Sequence, residues 1–144
     1  MNPDIQFSLA EATFDAASLT ASIGDHNAGA VVTFEGRVRN HNEGKSVVTL
    51  EYQAYPALVL PTGRKILAEE AEKAGVLAIH AVHRTGVLTV GEIAVWVAVA
   101  SAHRGPAFDA ARAVMERLKY ELPVWKRETY TDGISVWVEP KMSC

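Results

Sequence analysis

VLAIHAVHRTGVLTVGEIAVWVAVASAH, residues 76–103, decides the fold. It holds two runs rich in β-branched and apolar residues, Val76–Arg84 and Glu92–His103, joined through a turn at Val90-Gly91. Two such runs with a glycine turn between them predict a buried antiparallel pair of strands. The longest unbroken apolar run, Ile93–Ala100, is far too short to cross a bilayer.

Downstream, Pro106–Leu122 predicts a helix closed by Pro123, and Val124–Tyr130 with Ile134–Glu139 predicts a hairpin around Thr131-Asp132-Gly133. Upstream, Ala57–Ala74 predicts a helix stopped by Gly75, with Pro61 near its first turns, where proline is tolerated. Before it, Ser46–Tyr55 alternates as a strand, Asn40–Lys45 (NHNEGK) reads as a polar loop or flap, and Gly29–Arg39 as a further strand. A helix over Asp15–Asp25, with Ala16, Leu19, Thr20 and Ile23 on one side, and a short strand over Ile5–Leu9 complete the pattern. Strands and helices alternate without a strict βαβ rhythm. The expectation is a single α+β domain over residues 1–144, with a mainly antiparallel sheet covered by helices.

The chain has 144 residues, 49% of them apolar and 22% charged, with a formal charge of −3. That balance argues against general nucleic-acid binding, which depends on an excess of cations. The N-terminal stretch carries acidic residues and no Lys or Arg before Arg37. This is the opposite of a signal or transit peptide, so the expected location is the cytoplasm, with no membrane association. Cys144 is the one cysteine, which excludes an internal disulfide. His80, His83 and His103 have no recognised zinc spacing, so no metal is expected.

The basic residues fall in three groups. Strand alternation puts Arg37 and Arg39 on one face with Glu35, where two guanidinium groups can grip one anion. His103 and Arg104 stand where an apolar strand meets a helix, near the free N–H groups that favour an anion, and His103 can carry protons near neutral pH. Lys119 and Lys126 flank the Pro123 corner between a helix and a strand, which can bring their ammonium groups together. Crowded cations ease deprotonation of one another, which suits proton transfer or nucleophilic work. Glu128 shares the strand face of Lys126, and Arg112 and Met115 extend the helix face of Lys119. Bland alternatives exist for each group: solvated arginines, a histidine satisfying a helix start, and a lysine favoured by the helix dipole. Together the three groups describe a pocket for a phosphorylated or carboxylate-bearing substrate.

At these residues the sequence resembles the large-subunit family of molybdopterin synthases. The resemblance is carried by GAVVTFEGRVRNHNEGKSV (29–47), LEYQAYP (50–56), HRTGVLTVGEIAVWVAVASAHRGPAF (83–108), LKYELPVWKRE (118–128) and WVE (137–139). It implies an α/β-hammerhead-like α+β fold and a sulfurtransferase of molybdenum cofactor biosynthesis. The implied substrate is cyclic pyranopterin monophosphate. Sulfur comes from the C-terminal Gly-Gly thiocarboxylate of a small ubiquitin-like subunit, in a heterotetramer built on a homodimer of large subunits. No cofactor or metal is implied. The resemblance assigns Arg39, His103 and Arg104 to the pterin phosphate, Lys119 to the thiocarboxylate carbonyl and Lys126 to substrate binding and proton transfer, with Arg37 and Glu128 as neighbours. Gln53, where relatives often carry Glu, the stretch ALVLPTG (57–63) and a tail whose remaining cation is Lys141 depart from the family pattern. Two alternatives stand beside the enzyme: a non-catalytic module gripping a ubiquitin-like tail or anionic metabolite, and a small RNA-binding domain using Arg37, Arg39, Lys126 and Trp125.

Overall fold

The computed structural model describes residues 2–24 and 26–138. The expected helix end at Asp25, the strand end at Glu139, and Lys141 and Cys144 lie outside the described residues. The elements run β1(Asp4–Ala10), α1(Ala16–Ser22), β2(Ala30–Arg37), β3(His41–Asn42), β4(Lys45–Ala54), α2(Pro56–Ala74), β5(Ala78–Arg84), β6(Gly86–Thr89), β7(Ile93–Ser101), α3(Arg104–Glu121), β8(Val124–Tyr130) and β9(Ser135–Val138).

The fold is mixed α+β, but its strands form two sheets where one was expected. The first has the order β1-β5-β7-β2; the second runs β3-β4-β8-β9, with β6 also paired to β4. In the first sheet β5 and β7 are nearly all buried, because both faces are covered. Ile79, Ala81, Val97 and Val99 pack in one cluster with Ile66, Leu67 of α2 and Ala110, Val114 of α3. On the opposite face Ala78, Val82, Trp96, Ala98 and Ala100 meet Ile23, with Leu19 of α1 packed against them. A strand buried on both faces loses polar alternation, which is why residues 76–103 read as near-continuous apolar sequence.

Three features differ from the sequence reading. β1 pairs parallel to β5, from Asp4↔Ala78 to Ala10↔Arg84, so this sheet is not wholly antiparallel. The connection between β5 and β7 is more than a turn: Gly86–Thr89 leaves the first sheet and pairs with β4 in the second. Residues 40–45 are a hairpin and not a loop, with His41↔Ser46 and Asn42↔Lys45 paired. Its corner is Glu43 (φ 50°) and Gly44 (φ 79°), and two successive positive φ values make the primed turn that matches strand twist.

The helices obey local rules. Asp15 caps α1 by accepting from the Ala17 and Ser18 amides. Pro56 opens α2, where its missing N–H costs nothing, and Gly75 closes it in the left-handed conformation, its N–H bonded to the Ala71 carbonyl. Gly63 lets α2 press onto β1: a Cβ there would lie 2.4 Å from the Phe7 ring. Arg117 clamps α3 to α2 through Glu69 (2.9 Å) and Glu70 (3.0 Å).

Candidate functional site

The site forms at the seam between the two sheets, where α3 ends. Leu118 and Leu122 are buried and anchor the last turns of α3 to the core. Pro123 and the extended backbone of Leu122 end the helix, and the chain reverses into β8. Lys119 therefore stands beside the corner, and Lys126 sits on β8 directly across from Tyr52 of β4. Both lysines line one cavity of about 180 Å³. Met115, Leu118, Leu122, Val95 and Val124 give it apolar walls, and Tyr52 and His83 add polar atoms.

His83 arrives there by strand periodicity. It continues the Ile79–Ala81 row of β5 that faces the helices, at the rung where it meets Val95 of β7. Its Nδ1 is 2.7 Å from the Arg84 carbonyl, so Nδ1 carries the proton and donates to that oxygen. The Tyr52 ring meets the imidazole edge-on at 4.9 Å between centroids. Burial depresses the His83 pKa below its ordinary 6.5, against a smaller opposing effect of the Arg84 bond. Burial, with the nearby Glu128 carboxylate, pushes the Tyr52 hydroxyl up to about 12. At neutral pH both groups are uncharged.

Glu128 is buried and accepts from Asn42 Nδ2 (2.8 Å) and the Tyr130 hydroxyl (3.0 Å). Its carboxylate thus ties the β3–β4 hairpin to β8. A second hollow, of about 700 Å³, runs between α3 and β2 past Phe34, Phe108 and Arg112, and Lys119 borders it as well as the first.

The structure does not bring the three basic groups together within one chain. His103 and Arg104 are exposed at the start of α3. Lys119 follows fifteen residues along the same helix, about 22 Å by helical rise. Arg37 lies at the other end of the β2–β7 pair, since Ala30 is opposite Ser101 and Arg37 opposite Ile93. Seven residues of strand separate those rungs by roughly 24 Å. His103 makes no side-chain capping bond, so it does not satisfy the helix start as the bland reading supposed. Arg37 holds Glu35 at 2.9 Å in an exposed pair, and Arg39 is exposed just beyond β2. A register shift between Gly36 and Arg37 breaks the strict alternation assumed for this strand. Beyond it Val38 turns inward, packing with Leu50, Leu88 and Ala94.

Sequence reading missed His83 and Tyr52. The available signal was His83 within AIHAVHR: spaced by three on a strand, His80 and His83 must face opposite ways. His80 is spoken for by Asp4, at 2.7 Å. Among the described residues no group of three or more His, Cys, Asp or Glu is placed to share a metal ion, and no helix is long and apolar enough to cross a membrane.

Comparison with known proteins places this geometry. A family model described as MoaE protein matches residues 9–121. The chain is 41% identical over 118 residues to molybdopterin synthase catalytic subunit 1 of Mycobacterium tuberculosis, covering 82% of this chain and 80% of that one. It is 39% identical over 143 residues to the molybdopterin synthase catalytic subunit of a Nostoc species, covering 96% and 86%. The crystal structure of molybdopterin synthase from Staphylococcus aureus superposes with a TM-score of 0.85 at 35% identity, over 92% of this chain and 96% of that one. A complex of subunits 1 and 2 of molybdopterin-converting factor from Helicobacter pylori shares the fold, with a TM-score of 0.76 at 19% identity, over 94% and 91%.

Proposed function

The chain belongs to the MoaE protein family, and from that premise we propose that it is the catalytic subunit of a molybdopterin synthase, a sulfurtransferase of molybdenum cofactor biosynthesis. The observation that carries this reading is the convergence of Lys119 and Lys126 on one mostly apolar cavity. Ammonium groups in a low-dielectric hollow stabilise a developing oxyanion far better than they do in water.

In this reading the sulfur donor is the C-terminal thiocarboxylate of a small ubiquitin-like subunit, and the acceptor is cyclic pyranopterin monophosphate. Lys119 stands beside the donor carbonyl and Lys126 steadies the substrate from the β8 side. Arg39 holds the pterin phosphate with Arg37 beside it, and His103 and Arg104 join them from a second large subunit. Glu128 positions the hairpin above Lys126. The distance from His103 and Arg104 to the lysines supports a homodimer in which a second large subunit supplies its own basic group. Two large and two small subunits then make the working assembly. The reaction needs neither cofactor nor metal, and its place is the cytoplasm.

The test mixes this protein with the thiocarboxylated small subunit and cyclic pyranopterin monophosphate, then measures molybdopterin. Product above a control lacking this chain is the expected result. No product above that control overturns the reading.

A further inference from the structure

We propose that His83 is a catalytic residue of this site, the general base that frees the transferred sulfur from the donor's acyl carbon. The inference rests on the sulfur-transfer reading above and adds a step to it. A thiocarboxylate that hands its sulfur to a carbon acceptor is first joined to it through an acyl–sulfur bond. Release needs a nucleophile at the acyl carbon, and water is the simplest. Its oxygen bonds to that carbon while the carbon–sulfur bond breaks, and the electron pair leaves on sulfur as the acceptor's thiolate. One proton of the water passes to His83 Nε2 and then to the thiolate; the carboxylic acid loses the other to solvent. No oxidant or reductant is involved.

The cavity singles out His83 for this task. As ammonium groups, Lys119 and Lys126 donate and cannot accept. Tyr52 is held neutral well above pH 7 and offers a weakly basic oxygen. Among the described residues lining the cavity there is no carboxylate, and His83 is the one imidazole. Its Nδ1 proton is committed to the Arg84 carbonyl, which leaves Nε2 as the lone-pair nitrogen of a ring that lines the same hollow. Tyr52, packed against the ring, fixes its plane. Burial keeps the imidazole unprotonated at neutral pH, the state a base must start from. A backbone carbonyl that accepts from Nδ1–H fixes the tautomer in which Nε2 is the basic nitrogen.

The experiment is a single turnover with preformed thiocarboxylated partner and cyclic pyranopterin monophosphate, followed by mass spectrometry of the small subunit. In His83→Gln, product formation is expected to fall about 100-fold or more. Binding of the partner should stay unchanged, and the small subunit should accumulate joined to the pterin through sulfur. Added imidazole should restore part of the rate. His83→Asn, whose amide keeps a donor for the Arg84 carbonyl, should behave alike and serves if the first variant melts early. The unaltered protein gives an independent reading. Breakdown of the joined species should slow through a single protonation as pH falls through the folded His83 value, which lies below the ordinary 6.5. Wild-type rates in both variants, or a flat pH profile, overturn the role of His83 while leaving sulfur transfer standing. An inactive unaltered protein overturns the sulfur-transfer reading itself.

Discussion

The two sheets use the same alternation of strands for different ends. In the first, β5 and β7 bury both faces, and Val97 and Val99 share one cluster with apolar side chains of β5, α2 and α3. In the second, the same kind of strand carries buried or half-buried polar pairs. Glu128 accepts from Asn42 and Tyr130, Arg127 is paired with Glu51 and also stacks over Trp137, and Tyr52 meets His83 across the seam. Apolar packing is non-directional and tolerates only what fills space. Polar pairs are directional and fix where a particular atom sits. The apolar core of the first sheet is therefore the main source of stability and the polar pairs of the second a source of aim, with the cavity where the two meet and β5 lending it His83.

Substitutions in the two sheets should have opposite effects. The largest effect belongs to the first sheet's core: Leu67→Ala, at a fully buried position of α2, should cost about 2–5 kcal/mol of unfolding free energy in urea denaturation. A loss below about 1 kcal/mol would mean that α2 repacks easily and the scaffold role is misplaced. Lys126→Ala should do the reverse, leaving the melting temperature in place while single-turnover sulfur transfer drops about 100-fold, roughly 2.7 kcal/mol on the barrier. If it unfolds the protein instead, β8 is structural rather than functional. Asn42→Ala is intermediate in character. It strips Glu128 of one donor, so about 1.5 kcal/mol of stability should be lost, with amide exchange quickened in residues 40–46 and not in β7.

The smallest effect is a pH slope. The folded chain holds His83 below its ordinary pKa, so between that folded value and 6.5 the unfolded chain binds more protons. Stability should then decline as pH falls from 6.5 toward the folded value, and the decline should be shallower in His83→Gln. Denaturation midpoints measured at several pH values in that window check the sign; a slope unchanged by the substitution would place the titrating group elsewhere.

Much of the scaffold was legible because its signals are local. The Ile93–Ala100 run, the Gly75 stop, the Pro123 stop and the Thr131-Asp132-Gly133 turn each act within a few residues, and the structure has an element boundary at every one. The division into two sheets was not legible, since it depends on β6 leaving β5 and β7 to pair with β4, a choice made by distant strands. β3 is two residues long, too short to show any period; its Glu43-Gly44 corner was the available cue. In the candidate site, Lys119 and Lys126 could be joined from sequence because the corner between them is short. His83 and Tyr52 could not, because they come from β5 and β4 and meet only through the stacking of one sheet beside the other. The separation of His103 and Arg104 from the lysines was concealed by the opposite cause. α3 is a rigid rod, and its length keeps its two ends apart.

The parallel pairing of β1 with β5 also has a consequence for how the chain is made. Asp4 meets Ala78, so β1 on leaving the ribosome lacks its β5 partner until seventy-four more residues have been added. At about 5–20 residues per second that wait lasts roughly 4–15 s. During it the Phe7 side chain, later sealed against Gly63, is open to any other apolar surface in reach. Synthesis slowed between residues 10 and 78 prolongs that exposure, and should raise the aggregated fraction more than the same delay placed after residue 84.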